Sequence, residues 1–597
     1  MGRLNNILLV YPEIPNNTYW SFQYSLRFIN KRTCLPPLGL ITMAALLPEK
    51  YNLKLVDLNI EPLAESDIDW ADAVFISAMI IQQNSMNDII KACHRSGTPV
   101  VAGGPHPTSS HQAIDGVDHF VLGEAETIIN EFLEDFENGT ARHVYHAASR
   151  PDLDDTPIPR FDLLKMDEYS SMAVQYSRGC PFQCEFCDIW VIYGRQPRVK
   201  SAPNIVKEID TLYQLGWDGS IFMVDDNFIG NKNRVKKELL PALIEWEKAN
   251  QHRFKFYTEA SINLAEDEDL MKAMNKAGFD QVFIGIETPS EEGLKETGKS
   301  QNLKCDLREA VRIIQKHGME VTAGFILGFD SDTEDIFDRQ IEFIQQTGIP
   351  KAMVGMMQAL PGTKLFERLE KEGRILSDHL EGSNTHTMTT NFVPTMDEEK
   401  LKEGYKRVLD TLYDYNLKNY FARCDLLLAN LHHTGFKQRK LRWLEIRALL
   451  RSLLLQPLTP YGWQYLKFIS RNLIRNPGVF AEVVTYAVMG HHFHIITQET
   501  LKVDQVASRL DDIYEKARAQ VRRYSSSMKS SSAPQRQKLS ELWKSYHKVL
   551  KKSESFINHI HVDFRRDVVD KYQDIYNRTR QLFTEAEHGR TYTGTTG

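Results

Sequence analysis

Cysteine is scarce in this chain. Seven occur in 597 residues, and four of them, Cys34, Cys93, Cys305 and Cys424, are scattered without pairing logic. A disulfide scaffold is thereby excluded, and a reducing cytoplasm is the expected location. Long apolar runs are missing as well: no stretch of about 18 uncharged apolar residues occurs, so no transmembrane helix is expected. The apolar run in the N-terminal "MGRLNNILLVYPEIP" is too short for a signal h-region and passes at once into turn-formers, so secretion is not expected. Positive charge is not in excess. With 72 Lys and Arg against 79 Asp and Glu the formal net charge is −7, which removes the overall ground for a nucleic-acid partner and leaves only local patches to consider. No repeat of fixed period is present.

What is there reads as several domains, since 597 residues exceed what one hydrophobic core organises. In residues 1–145 the runs "NILLVYP", "LKLVDL", "AVFISAM", "PVVAGG" and "HFVLGEAE" read as strands separated by amphipathic helices, the alternation of a parallel Rossmann-like sheet. A Pro- and Asp-rich linker, "SRPDLDDTPIPRFD", breaks the periodicity over 146–168. Between 169 and 394 six further strands follow, "MAVQYS", "GSIFMVDDNF", "FKFYTEAS", "QVFIGIE", "VTAGFILG" and "AMVGMMQAL", each trailed by a helix. Six such units predict a partial (β/α)6 barrel with its chemistry at the C-terminal strand ends. The fold class is therefore α/β with an α-helical C-terminal region over 395–520. A serine-rich linker, "SSSMKSSSAPQ", and a charged helical tail complete 521–597.

Three of the seven cysteines fall inside eight residues, in "YSRGCPFQCEFCDIW". A structural zinc site would need a fourth ligand nearby, and neither Cys nor His follows Cys187 for more than sixty residues. Three thiolates on one loop suit a [4Fe–4S] cluster with one iron left open. This Cys-x3-Cys-x2-Cys spacing, with Phe186 before the last cysteine and a strand before the first, resembles the radical S-adenosylmethionine (SAM) superfamily. The resemblance implies that Cys180, Cys184 and Cys187 hold a cluster whose open iron chelates SAM and whose electron cleaves it to an adenosyl radical. Along the barrel it further implies that Asp225 or Asp226 in "MVDDNF" meets the SAM amino group, and that Glu287 in "GIETPS" binds the ribose. A carboxylate that merely caps a helix is the alternative for Glu287. Phe186, Gly324 and Gly328, with Gly362 in "MQALPGT", fall where that superfamily approaches SAM.

The first domain resembles cobalamin-binding Rossmann-like domains. Ser77 to Met79, "SAM", and "AGGPHPT" match the elements that face the corrinoid tail, which implies that Ser77, Met79, Gly103, Gly104, Pro105, His106 and, in "FVLGEAE", Glu124 bind cobalamin. Small residues there are expected to let the sheet edge accept the bulky tail. The family's ligating histidine is absent, since "SLRFINKRTCLPPLGL" contains none. The cobalt is thus expected to lack a histidine from that motif, as in the cobalamin-dependent radical SAM enzymes that share "PPLGL". Together the cofactors imply methyl transfer from one SAM through cobalamin to an unactivated carbon, after a second SAM has supplied the radical. A flavodoxin- or ferredoxin-type electron donor is implied too. A non-methylating member of the same family and, less so, a cobalamin-binding sensor remain as alternatives. RNA methylthiotransferases carry a second cysteine triad in the first domain, where this chain has only Cys34 and Cys93.

Residues 395–500 resemble the helical extension of the hopanoid C-2 methylase group, at "DTLYDYNLKNYFARC" and "VMGHHFHIITQET", which implies a hopanoid-like lipid substrate. Independently, "KQRKLRWLEIRALLRSLLLQPLTPYGWQYLKFISRNLIR" carries nine Lys or Arg against one Glu among Leu, Trp and Tyr. That composition suits peripheral contact with an anionic membrane. A helix pair packed on the barrel with a solvated basic face fits it equally.

Overall fold

The computed structural model describes residues 4–376, 388–431, 443–526 and 533–587. Most of the serine-rich stretch, and Arg439 and Arg442 of the basic segment, lie outside the described residues. Contacts divide the chain into two compact units, residues 1–493 and 494–597.

In the first unit, β1 (Asn6–Tyr11), β2 (Asn52–Asp57), β3 (Ala73–Ser77), β4 (Val100–Gly103), β5 (His119–Leu122) and β6 (Val144–His146) form a parallel sheet in the order β2-β1-β3-β4-β5-β6. Both faces are buried, Leu8, Val74 and Ile76 on one side and Ile7, Leu9 and Phe75 on the other, which is why these strands read as unbroken apolar runs. The strand order reverses at β1, and the crevice beyond the C-terminal ends of β1 and β3 is where such sheets take ligands. β6 escapes a reading of the sequence because three residues show no periodicity.

The second sheet comprises β7 (Ser171–Val174), then, after a short antiparallel ribbon of β8 (Ser177–Arg178) and β9 (Arg198–Val199), β10 (Ser220–Met223), β11 (Phe256–Ala260), β12 (Phe279–Glu287), β13 (Glu320–Leu327) and β14 (Ala352–Met356). Its order, β14-β13-β12-β11-β10-β7, follows the chain with every pair parallel, as expected of an open (β/α)6 barrel. Alternate residues face opposite ways: Ile221, Met223, Val282 and Ile284 are fully buried, while Phe222, Val224, Tyr257 and Phe283 line an interior cavity. The Pro- and Asp-rich stretch is fastened down, because its three 3-10 turns lead to buried Tyr169, whose hydroxyl donates to Asp57 at 2.9 Å.

Helices follow the barrel. Within Lys418–Asn430, Arg423 is fully buried, donating to the carbonyls of Ile349 and Leu412 at 2.9 Å each. Helices Trp443–Leu455 and Gly462–Arg475 come next, and the boundary between the units falls inside helix Phe480–Ser526. The second unit has its own core, where Ala517, Val521, Leu539, Leu582 and Phe583 pack around Trp543.

Candidate active site

The cysteine loop leaves β7, passes through β8 and returns along β9, so its two ends are pinned by the ribbon. Gly179 opens it at φ +96°, where a side chain would meet the Gly194 carbonyl at 2.8 Å. Cys180 N–H donates to that same carbonyl at 3.2 Å, and Cys187 N–H and the Trp190 indole both donate to the Cys184 carbonyl at 3.2 Å. Burial, with the other thiols adding to it, pushes the Cys180 and Cys187 thiols above their ordinary range. Such thiols ionise once a metal cluster replaces their protons. Two amides are aimed at sulfur: Asn227 Nδ2 lies 3.9 Å from Cys180 Sγ, and Gln301 Nε2 lies 3.9 Å from Cys184 Sγ. Among the described residues no group of three His, Cys, Asp or Glu is gathered for a single metal ion. A loop of three thiols with amide donors behind them suits instead a cluster in which each cysteine takes its own iron.

The carboxylates at the strand ends separate into different jobs. Asp225 is fully buried and accepts from Tyr176 N–H at 2.8 Å and Ser177 Oγ at 2.6 Å, which ties β10 to the entrance of the cysteine loop. Asp226, next along, is only half-buried and accepts from Gly179 N–H at 3.1 Å. Burial pushes both up, Asp225 to about 7 and Asp226 to about 6. Glu259, at the end of β11, lines the cavity beside them and is pushed up to about 8 by burial and by the neighbouring Asp226 and Asp225. Glu287 has φ +64°, a left-handed conformation that a glutamate adopts only at some cost. It sits at an irregularity in the β12–β13 register and pairs with buried Lys299. Lys299 in turn lies over the Phe186 ring, 5.9 Å from its centre. Gly324 stands next to Glu287 and Phe283, and Gly328 and Gly362 occupy turns after β13 and β14. Motif reading gives Glu259, Lys299, Asn227 and Gln301 no role, because only the fold brings the last three to the cysteine loop and Glu259 to Asp225 and Asp226.

In the first domain, Gly103 and Gly104 are held to glycine by the sheet itself. A Cβ at Gly104 would stand 2.5 Å from Ser77 Oγ, and one at Gly103 would stand 2.8 Å from the Val121 carbonyl. Packing within the sheet therefore requires glycine at both positions, whatever lies beyond the sheet edge. Pro105 opens the helix Pro105–Ser110, and His106 behind it is buried with neither ring nitrogen hydrogen-bonded among the described residues. Burial lowers its imidazole to about 4. A buried, neutral and unpartnered histidine in this loop fits a polar group delivered by a ligand. Met79 is exposed and lines the cavity. Glu124 has its carboxylate facing Arg178 at 2.7 Å and Arg198 at 2.6 Å, so it links the first domain to the β8–β9 ribbon.

A cavity of about 1150 Å³ lies between the first sheet and the barrel interior. Its walls come from the C-terminal edge of the first sheet (Tyr11, Asn59, Met79), from the histidine-free segment (Leu35, Pro36), and from the barrel interior up to Glu259 and Phe186. Chain order alone gives no hint that these segments share one space.

Three family descriptions match in succession: a B12 binding domain over residues 25–133, the radical SAM superfamily over 174–344, and a domain of unknown function (DUF4070) over 363–505. The chain is 43% identical to an uncharacterized methyltransferase of Synechocystis sp. over 82% of its own length and 92% of the relative's. It is 34% identical to the hopanoid C-2 methylase of Rhodopseudomonas palustris over 83% and 94%. The radical SAM methyltransferase TsrM of Kitasatospora setae, solved with cobalamin and a [4Fe–4S] cluster, shares the fold at TM-score 0.52 and 14% identity, over 76% of this chain and 96% of that one. From the cysteine loop, the two parallel sheets and these relatives together, the chain belongs to the cobalamin-dependent radical SAM methyltransferases, with a [4Fe–4S] cluster, SAM and cobalamin as its cofactors.

Proposed function

We propose that the enzyme methylates an unactivated carbon of a hopanoid-like polycyclic lipid. The observation that carries the substrate class is the cavity, whose middle is walled by Phe222, Tyr257, Phe283 and Met353, with Trp20 packed on Phe283 at 5.3 Å. A rigid, largely apolar molecule gains most from such walls. The 34% identity to a hopanoid C-2 methylase supports the same reading.

Cys180, Cys184 and Cys187 would hold the cluster, and Asn227 and Gln301 would donate to its sulfur ligands. Asp226 rather than Asp225 would meet the SAM amino group, since Asp225 is enclosed by Tyr176 and Ser177. Glu287, steadied by Lys299, would bind the ribose, with Phe186, Gly324 and Gly328 beside it. Ser77, Met79, Gly103, Gly104, Pro105 and His106 would border cobalamin, His106 supplying a hydrogen bond to its tail. When bound, SAM and the cluster supply a carbon-centred radical and cobalamin supplies a methyl group. The chain's own part is to hold the acceptor carbon between them and keep water out, which the aromatic belt does. A one-electron reductant is required, and we take it to be a flavodoxin- or ferredoxin-type protein.

We further propose that helices Trp443–Leu455 and Gly462–Arg475 rest on an anionic bilayer. Leu454, Leu458, Trp463 and Ile474 are 71%, 86%, 67% and 81% exposed. Several cations of this segment are engaged: Arg451 donates to the Arg27 carbonyl at 2.5 Å, and Arg471 pairs with Asp425. The exposed face is therefore apolar with a basic fringe, as an interfacial helix pair requires. Ile446 and Leu449, on the first of these helices, line the cavity, so a lipid would have a short path inward. No helix among the described residues is long and apolar enough to cross a membrane.

The test is anaerobic turnover of the reconstituted enzyme with SAM, cobalamin and a reductant in the presence of hopanoid-bearing membrane lipid. A hopanoid heavier by one methylene is expected. Methylation of some other lipid, with hopanoids untouched, would overturn the substrate reading.

A further inference from the structure

The inward residues at the N-terminal end of the barrel are all polar. Ser171 and Ser220 begin β7 and β10, Lys255 precedes β11, Gln281 lies early in β12, Glu320 begins β13 and Lys351 precedes β14. All six line the cavity. Five of them join in two groups: Lys351 Nζ lies 3.1 Å from Glu320 and 2.8 Å from the Gln281 amide oxygen, and Ser220 Oγ donates to Ser171 Oγ at 3.2 Å. Helix Phe480–Ser526 closes this end through residues of the first unit, Tyr486 donating to Glu320 at 3.3 Å and Glu482 standing 3.2 Å from Lys255. Asp280, 3.0 Å from Lys255, completes the set.

A closed barrel would pack its N-terminal end as core, where residues serve stability alone. Here polar atoms instead form the floor of a large cavity whose middle is aromatic, and burying unfilled polar surface is costly unless something hydrogen-bonds to it. Both lysines are engaged, Lys351 by Glu320 and Lys255 by Asp280 and Glu482, so an anionic ligand end finds no free cation, and each of the three carboxylates already faces a lysine. Two hydroxyls, an amide and the ion pairs offer both donors and acceptors. Those suit neutral hydroxyl groups.

We propose that this floor is a recognition site for the neutral, hydroxyl-bearing end of an elongated apolar substrate, which fixes the reacting carbon at the substrate's opposite, apolar end. The geometry sets the length. Asp280 and Glu287 are seven residues apart on β12, which at about 3.3 Å per residue places the floor about 23 Å from the carboxylates near the cysteine loop. The substrate is then a molecule about 20 Å long, polar at one end, methylated near the other. This deepens the hopanoid reading and rests on it for the ring system, though not for the polar end.

The test measures binding to the holoenzyme of three probes: bacteriohopanetetrol, a hopane with a tetrol side chain; diploptene, with the same rings and a hydrocarbon side chain; and octyl glucoside below its micellar concentration. Wild type is expected to prefer the tetrol to diploptene about tenfold or more. The double variant Glu320→Gln, Lys351→Met should erase that preference while diploptene affinity stays the same. Gln281→Leu and Tyr486→Phe, which carry no charge change, should each lower tetrol affinity severalfold and serve if the double variant does not fold. Iron and cobalamin contents report folding. If neither hopane binds but octyl glucoside does, and loses affinity in the floor variants, the polar floor stands and the hopanoid reading falls. If tetrol and diploptene bind alike, or if the folded floor variants leave tetrol and glucoside affinities unchanged, the floor is structural and the proposal is overturned.

Discussion

Cys184 is the most enclosed of the three clustered thiols, with its carbonyl bonded to Cys187 and Trp190. Cys184→Ala is expected to abolish SAM cleavage and to lower iron from about four per chain toward zero, while Cys34→Ala, Cys93→Ala, Cys305→Ala and Cys424→Ala each keep full iron. Iron and sulfide analysis after anaerobic reconstitution checks this. Asp225 and Asp226 are adjacent, yet the first faces inward to the Tyr176 amide and the Ser177 hydroxyl while the second is half-open. Asp226→Asn should weaken SAM binding about tenfold or more with an unchanged melting temperature. Asp225→Leu should cost about 1–3 kcal/mol of stability, because it strands buried donors. Equilibrium SAM binding and thermal melts on both variants separate the roles.

Between elements, the link from the first sheet to the cysteine loop runs through Glu124, Arg178 and Arg198, with Glu126 at 2.8 Å from Arg178. Removing one partner of a buried pair leaves a charge uncompensated, so Glu124→Ala is expected to destabilise the fold by about 3 kcal/mol. Cobalamin binding should persist in that variant at a temperature where it remains folded, which a loss of bound corrin absorbance would contradict. The helix pair Trp443–Leu455 and Gly462–Arg475 makes a different prediction from the one its basic composition alone would give. Because its most exposed residues are apolar, Leu454→Glu, Leu458→Glu and Ile474→Glu together should release the protein from anionic liposomes at any salt. Raising salt should release wild type only in part. Flotation at low and high salt distinguishes the two contributions.

At the scale of the first unit, chain segments hundreds of residues apart close on each other. His492 Nε2 lies 3.0 Å from the Tyr19 carbonyl and its ring packs against Phe22 and Tyr24, a contact across 473 positions. Burial lowers this imidazole to about 3. The unfolded chain therefore binds a proton near the ordinary pKa of about 6.5 that the folded chain refuses, so the stability His492 contributes is present above that pH and is lost as pH falls toward 3. Relative to His492→Gln, wild-type protein should lose melting temperature as pH drops from 7.5 to 5. Equal pH slopes for the two proteins would show that His492 is protonated without penalty.

The sequence by itself determined whatever depends on neighbours along the chain. Apolar runs of period two or unbroken hydrophobicity fixed eleven of the twelve strands in the two large sheets, and the spacing of Cys180, Cys184 and Cys187 fixed the cluster loop, since both are local patterns. The missing histidine in residues 25–40 was equally plain to read. The three-residue β6 was not, being shorter than any period. Only the tertiary structure decided which carboxylate faces what. Glu124 meets arginines 54 and 74 positions away, Gln301 reaches a thiol 117 positions away, and Lys351 and Gln281 meet across 70. Those partners are chosen by strand register and by helices closing over the barrel, long-range pairings that no local pattern encodes. The same holds for the C-terminal helices. Their composition announced cations among leucines, and packing alone decided that Arg451 and Arg471 are engaged while Leu454 and Leu458 face outward.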